Sequence, residues 1–360
     1  MNESKFNVVY YSDGSQQAFS AAVYAATLLK NIPNMHLTVV QVQEKSGGTM
    51  GTQYNWVFTW PGDAASNWMK QVLTQSSDSA TKNKYAEILT KTNKIFSEKG
   101  MKVTNEVVYS KSSIAETTDA LINYANKNQA KLIIMGTRGP KDLNGLIYGS
   151  LAHSLLHKSN IPVLLIKKLP QEFIDNFCSD IDNSNQLKVL LYTDGSLHSF
   201  SAAVYTANLW KSIPFMHLTV LQVQENSMGG NNNLKPTWPT NPKSDWAIYL
   251  MNENDPGKKK QYSKIHARIE EIFSEKGHDV NQQAVYSNTN IPDIVKAIHE
   301  YATKNEFELI IAGTRGPTDL EGLIHGSLAH SLLHKSNIPV LLIKKLPQSF
   351  IDSFCLDTNS

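Results

Sequence analysis

From the amino end, the polar and apolar positions switch repeatedly between two periods. "FNVVYYS" (Phe6 to Ser12) is a short β-branched and aromatic run closed by the turn pair Asp13-Gly14. Between Ser15 and Lys30 the apolar positions Phe19, Ala22, Val23, Ala26 and Leu29 recur at helical spacing, with Ser15 placed to cap the helix. A second strand follows in "HLTVVQVQE" (His36 to Glu44). Helical spacing returns around Tyr85 to Lys99 and stops at Gly100, a residue suited to the position just past a helix end. "KVTNEVVYS" predicts a third strand, Ile114 to Lys127 a helix, and "KLIIMG" a fourth strand. Ser150 to Lys158 then predicts a helix and "IPVLLIKK" a fifth strand.

The succession then repeats. "GSLAHSLLHKSNIPVLLIKKLPQ" stands unchanged at Gly149 to Gln171 and at Gly326 to Gln348, an offset of 177 (326 − 149). The front ends match as well, from "YYSDGS" at Tyr10 and "LYTDGS" at Leu191, with an offset of 181 (Asp194 − Asp13). Even the tails correspond, "EFIDNFC" against "SFIDSFC". A period this long means a doubled domain rather than a solenoid. The polar stretch "SDIDNSNQ" reads as linker, which gives domains over 1–178 and 187–360 joined by residues 179–186. Strands alternating with helices predict an α/β fold: two tandem copies of a doubly wound, five-stranded parallel sheet flanked by helices. In such sheets ligands sit beyond the carboxyl ends of the strands, where the winding reverses. Asp13 and Gly136 both fall there.

Composition narrows the partners. At 41% apolar and 18% charged residues the chain reads as an ordinary globular protein. A formal net charge of +2 gives no electrostatic reason to expect nucleic acid or an anionic membrane as partner. The start "MNESKFNVVYYS" lacks a charged-then-apolar leader, and no apolar run approaches membrane-spanning length. Two cysteines, Cys178 and Cys355, are too few for a disulfide framework, so a cytoplasmic protein with free thiols is expected.

The chemistry lies in the loop between the fourth strand and the next helix. It runs Gly136-x-x-Gly139, nine residues, then Gly149-Ser150, and in the second copy Gly313-x-x-Gly316, nine residues, then Gly326-Ser327. Phosphate recognition needs many N–H donors aimed at one spot and a backbone that can come close, which glycine permits. The helix opening at Ser150 adds free amides and a positive dipole end. Arg138 and Arg315, between the glycines, suit paired phosphate oxygens, although a solvated surface arginine explains each as readily. The second loop is the more negative, since Lys141 becomes Thr318 and Asn144 becomes Glu321, while Tyr148 becomes His325. The first site is therefore expected to bind a triphosphate more tightly than the second.

With the G-2x-G-9x-G-(S/T) spacing in both copies, "SDGS" and "TDGS" after the first strand, and "IPVLLIK" at the end, the chain resembles a tandem universal stress protein. The resemblance spans nearly the whole chain and is weakest in the middle of each copy. It implies the adenine nucleotide alpha hydrolase-like fold and ATP as ligand, and Asp13 could help to hold Mg²⁺ near the phosphates. Carried over, Asp13 contacts the sugar or base, the backbone of Val42 the adenine, and Gly136, Gly139, Gly149 and Ser150 the phosphates. In the second copy Asp194, Val223, Gly313, Gly316, Gly326 and Ser327 take the same roles. The resemblance also implies pairing through the fifth strands, here between the two repeats, with a further homodimer as an open option.

Catalysis has less support. There is no GxxxxGK(S/T), GxGxxG or GxSxG, and a lone Asp13 is a sparse metal site, so slow ATP turnover is the most that is expected. Three other readings stay open: a family member that works by surface contacts without nucleotide, a sensor of AMP or a cyclic nucleotide, and an adenylating enzyme of the same fold. His153 and His157, with their copies His330 and His334, have zinc-compatible spacing but lack the glutamate of the metalloprotease helix. The aromatic segments Trp56 to Trp68 and Thr237 to Trp246 read as caps on the sheet, or else as lids or docking surfaces.

Overall fold

A computed structural model of the chain describes residues 5–44, 92, 94–97, 99–110, 113–137, 149–178, 187–213, 216–225, 256–288, 290–314, 326–347 and 349. The chain divides into two compact units, Glu3–Asn183 and Ser184–Ser360. The first holds β1 (Phe6–Tyr11), α1 (Gln16–Asn31), β2 (Met35–Glu44), β3 (Thr104–Ser110), α2 (Ile114–Lys127), β4 (Leu132–Gly136), α3 (Ser150–Lys158), β5 (Val163–Ile166) and α4 (Gln171–Cys178). The second holds β6 (Leu187–Thr193), α5 (Leu197–Ser212), β7 (Met216–Glu225), α6 (Pro256–Ser274), β8 (Asn281–Ser287), α7 (Ile291–Lys304), β9 (Leu309–Gly313), α8 (Ser327–Lys335) and β10 (Val340–Ile343). Of the expected helix over Tyr85 to Lys99, residues 92 and 94–97 are described and helical.

Each unit is a doubly wound parallel sheet of five strands. The order in the first is β3-β2-β1-β4-β5, and in the second β8-β7-β6-β9-β10. Within each unit the strands pair in parallel, for example Tyr10 with Val39 and with Ile134. The winding therefore reverses between β1 and β4, and between β6 and β9. Sheets covered on both faces carry continuous apolar strands. Every residue of β4 and β5 is accordingly buried.

Small residues let α1 come close to this sheet. Ala18, Ala21, Ala22, Ala25 and Ala26 are all buried, and Tyr10 Oη donates to the Ala18 carbonyl at 2.8 Å. Buried Ser20 Oγ accepts from Leu169 N–H, tying the segment after β5 to α1, and Ser201 does the same for Leu346. Helix α4 covers α1 from outside, with the Phe173 ring stacked 6.2 Å from Tyr24. Gly100, in the left-handed region at φ 63°, ends the helix before β3 with Met101 N–H donating to the Phe96 carbonyl at 2.9 Å.

The repeats differ where the end of the first helix meets the turn before the third strand. Where the first copy has Leu29 and Met101, the second has Trp210 and His278, stacked at 4.7 Å and 9°. Burial pushes the His278 pKa below 6.5, the Ala207 carbonyl partly offsets this, and nearby Lys211 adds to the depression. A base whose folded pKa is depressed is favoured neutral, so stability is kept above pH 6.5 and lost as pH falls below it toward the folded value. His278→Met should therefore flatten the fall in the urea midpoint of the second repeat between about pH 6.5 and 5. An equal fall in both proteins would rule this out.

Candidate functional site

The site is assembled at the carboxyl ends of β1 and β4, adjacent strands in which Tyr11 pairs with Met135. Ser12, next in register with Gly136, closes the β1–β2 ladder by donating its N–H to the Val40 carbonyl at 3.0 Å. In a parallel ladder alternate residues turn their backbone groups to the same neighbour. Val42, two residues on, thus presents its N–H and C=O on the β1 side but past the end of β1. Val223 stands one residue beyond the last β6–β7 pair, Thr193 with Gln222.

Asp13 and Asp194 are each half-buried just past the first strand of their own repeat. Each shapes its own turn: Asp13 Oδ1 accepts from Ser15 N–H and Asp194 Oδ1 from Ser196 N–H, both at 2.9 Å. Gly14 and Gly195 between them lie at φ 73° and 77°, where a side chain would be strained. Ser15 and Ser196 then cap α1 and α5. Beneath Asp194, burial pushes the Tyr192 hydroxyl pKa up and the carboxylate adds to the shift, so that phenol stays neutral.

The glycines divide into two kinds. A Cβ on Gly136 would meet Ala18 N and Gln17 C at 2.7 Å, and one on Gly313 would meet His198 C and Ser199 N at 2.8 Å. The first glycine of each motif thus lets the first turn of α1 or α5 rest on the strand end, a packing duty that its spacing did not reveal. Gly149 and Gly326 are helix N-caps of ordinary negative φ, −68° and −62°, and contribute no side-chain cap. Their own N–H groups are taken by Thr137 and Thr314 carbonyls at 2.7 and 2.8 Å. In the first turn, the amides of Ser150, Leu151 and Ala152 and of Ser327, Leu328 and Ala329 have no partner within their own helices. Ser150 and Ser327 are exposed. Thr137 and Thr314, buried and in identical "GT" pairs after the fourth strands, are positioning residues that the motif reading missed.

Arg138, Gly139, Arg315 and Gly316 lie outside the described residues. So do the loop differences Lys141/Thr318, Asn144/Glu321 and Tyr148/His325, both tryptophan segments, the linker and Cys355. Among the described residues no group of three His, Cys, Asp or Glu could hold a metal, and no helix is long and apolar enough to cross a membrane.

The family model described as the universal stress protein family matches this chain twice, over residues 6–167 and 187–344. The chain belongs to the universal stress protein family. A universal stress protein of Methanocaldococcus jannaschii is 31% identical over 86 residues, covering 24% of this chain and 48% of its own length. A universal stress protein E homolog of Haemophilus influenzae is 24% identical over 226 residues, covering 63% and 66%. The chain spans about half the length of the first curated relatives it matches. Among solved structures, a universal stress protein from Archaeoglobus fulgidus superposes with a TM-score of 0.53 at 16% identity, covering 95% of this chain and 99% of that one. That likeness bears on the fold alone: tandem universal stress domains of the adenine nucleotide alpha hydrolase-like class.

Proposed function

We propose that each repeat binds an adenine nucleotide, ATP in the first instance, in the crevice between its first and fourth strands. On this reading the protein acts as a nucleotide-dependent regulatory or binding module, which its place in the universal stress protein family supports. The observation that carries this reading is the first turn of α3 and α8, which has a glycine cap and no side-chain cap. Such a helix end favours phosphate. On this reading the backbone groups of Val42 and Val223 would meet the edge of the base, and Asp13 and Asp194 the ribose. The phosphates would meet the amides of the first helical turn, with Arg138 and Arg315 as further donors, and Gly139 and Gly316 leaving room beside them. Nothing in this arrangement supplies a general base or a metal cage, so binding rather than turnover is the proposed activity. The apolar fifth strands, Val163–Ile166 and Val340–Ile343, are proposed to pair with each other.

Native mass spectrometry of the gently purified full chain, followed by calorimetry after nucleotide removal, tests the proposal. Two adenine nucleotides per chain are expected, both displaced by added ATP. Absence of heat at millimolar ATP, AMP and cyclic AMP would leave the fold standing without this function.

A further inference from the structure

Helix α3 is only nine residues long, so whatever holds its middle also sets the place of its first turn. In the first repeat that hold combines buried Ala152, Leu155 and Leu156 with a hydroxyl relay. Thr118 on α2 is fully buried, and its Oγ1 lies 2.7 Å from the Ile114 carbonyl and 2.9 Å from Ser154 Oγ on α3. The carbonyl can only accept, so it takes the one Thr118 proton, and Ser154 supplies the proton of the second bond. At the far end of α3, Lys158 Nζ reaches Asp119 Oδ1 at 2.7 Å. The second repeat keeps the serine and the lysine, as Ser331 and Lys335, but replaces their partners with Val295 and Lys296. Val295 is fully buried and has no hydroxyl to offer, while Lys296 turns to Glu300 on its own helix at 3.9 Å.

We infer that Thr118 is a positioning residue for the first nucleotide site. Through Ser154 it fixes the register of α3 against α2, and so the direction of the Ser150, Leu151 and Ala152 amides. The second site lacks this anchor. A buried hydroxyl pair is directional where a valine side chain is not, so this bond resists sliding of α3 along α2 in a way that Val295 does not resist sliding of α8 along α7. The two sites therefore differ in preorganisation as well as in loop charge. The inference rests on the proposed nucleotide role of α3, but anchoring and binding are separable by experiment.

Thr118→Val, its conservative control Thr118→Ser, and the reciprocal Val295→Thr are to be compared in the full chain. Hydrogen exchange without nucleotide reads the anchor alone. The α3 amides of His153 to Lys158 should exchange roughly fivefold faster in Thr118→Val and at the wild-type rate in Thr118→Ser, as expected for losing one buried hydrogen bond. Unchanged exchange in Thr118→Val overturns the inference whether or not ATP binds. Calorimetry in a Ser327→Pro background, where the second site is weakened, should then show about fivefold weaker ATP binding for Thr118→Val. Val295→Thr in a Ser150→Pro background should strengthen the remaining site about two- to threefold, a gain that general destabilisation cannot produce. A lowered melting temperature with both affinities unchanged would make Thr118 structural only and overturn its positioning role.

Discussion

Gly136→Ala will cost the first repeat about 3 kcal/mol of stability, and Gly313→Ala will do the same to the second. The added methyl would stand 2.7 Å from Ala18 N and Gln17 C, or 2.8 Å from His198 C and Ser199 N, and all four are backbone atoms within a helix's first turn. Backbone cannot rotate aside as a side-chain tip can, so the helix start or the strand end must shift. That movement also disturbs the bonds hung on the same turn, Ala18 N–H to Ser15 Oγ at 3.0 Å and Ser15 N–H to Asp13 Oδ1 at 2.9 Å. A fall in melting temperature of roughly 6–12 °C is expected for a domain of this size. A fall of under about 1 °C would show that the contact relaxes freely and that packing does not require the glycine. By mass action, saturating ATP should restore part of the loss if the variant still binds.

Much of the architecture was legible in the chain because hydrophobic period reports local structure directly. β1 ends at Tyr11 rather than Ser12, β2 begins at Met35, and β5 contracts from "IPVLLIKK" to Val163–Ile166. Pro162 already spends its carbonyl on Ile133 N–H, and the lysines run past the last pair with β4. The tail "QEFIDNFC" was legible only as a repeat, yet it is helix α4, held by Phe173 against Tyr24. The site was harder to read, because a motif gives spacing and not distance. Gly136 and Gly149 look alike in the sequence, but one makes room for a helix 119 residues earlier in the chain (Gly136 − Gln17) and the other leaves a helix end uncapped. Asp13 shows the same limit, since no spacing rule reveals that one of its oxygens closes its own turn. The Thr118–Ser154 relay spans 36 residues and joins two surface-periodic helices, so pattern alone carried no sign of it.

Ser150→Pro will weaken ATP binding at the first site by about ten- to a hundredfold while leaving the fold intact. Proline at the first helical position lacks only an N–H that the helix itself does not use, and its fixed φ suits that position. The residue before a proline must be extended, and Gly149 already is, at φ −68° and ψ 158°. The substitution thus removes a candidate phosphate donor, together with the hydroxyl, at almost no structural cost. A hydrogen bond to a charged group contributes about 1.5–3 kcal/mol, which gives the range stated. Ser150→Ala separates the two losses, because it removes the hydroxyl and keeps the amide. If the main chain does the gripping, the alanine variant should bind within about threefold of wild type and the proline variant should not. Ser327→Pro repeats the experiment at the second helix, whose cap Gly326 has the same extended geometry at φ −62° and ψ 147°. Wild-type affinity in Ser150→Pro, with its melting temperature unchanged, would remove the helix end from the site and with it the physical basis for phosphate recognition in both repeats.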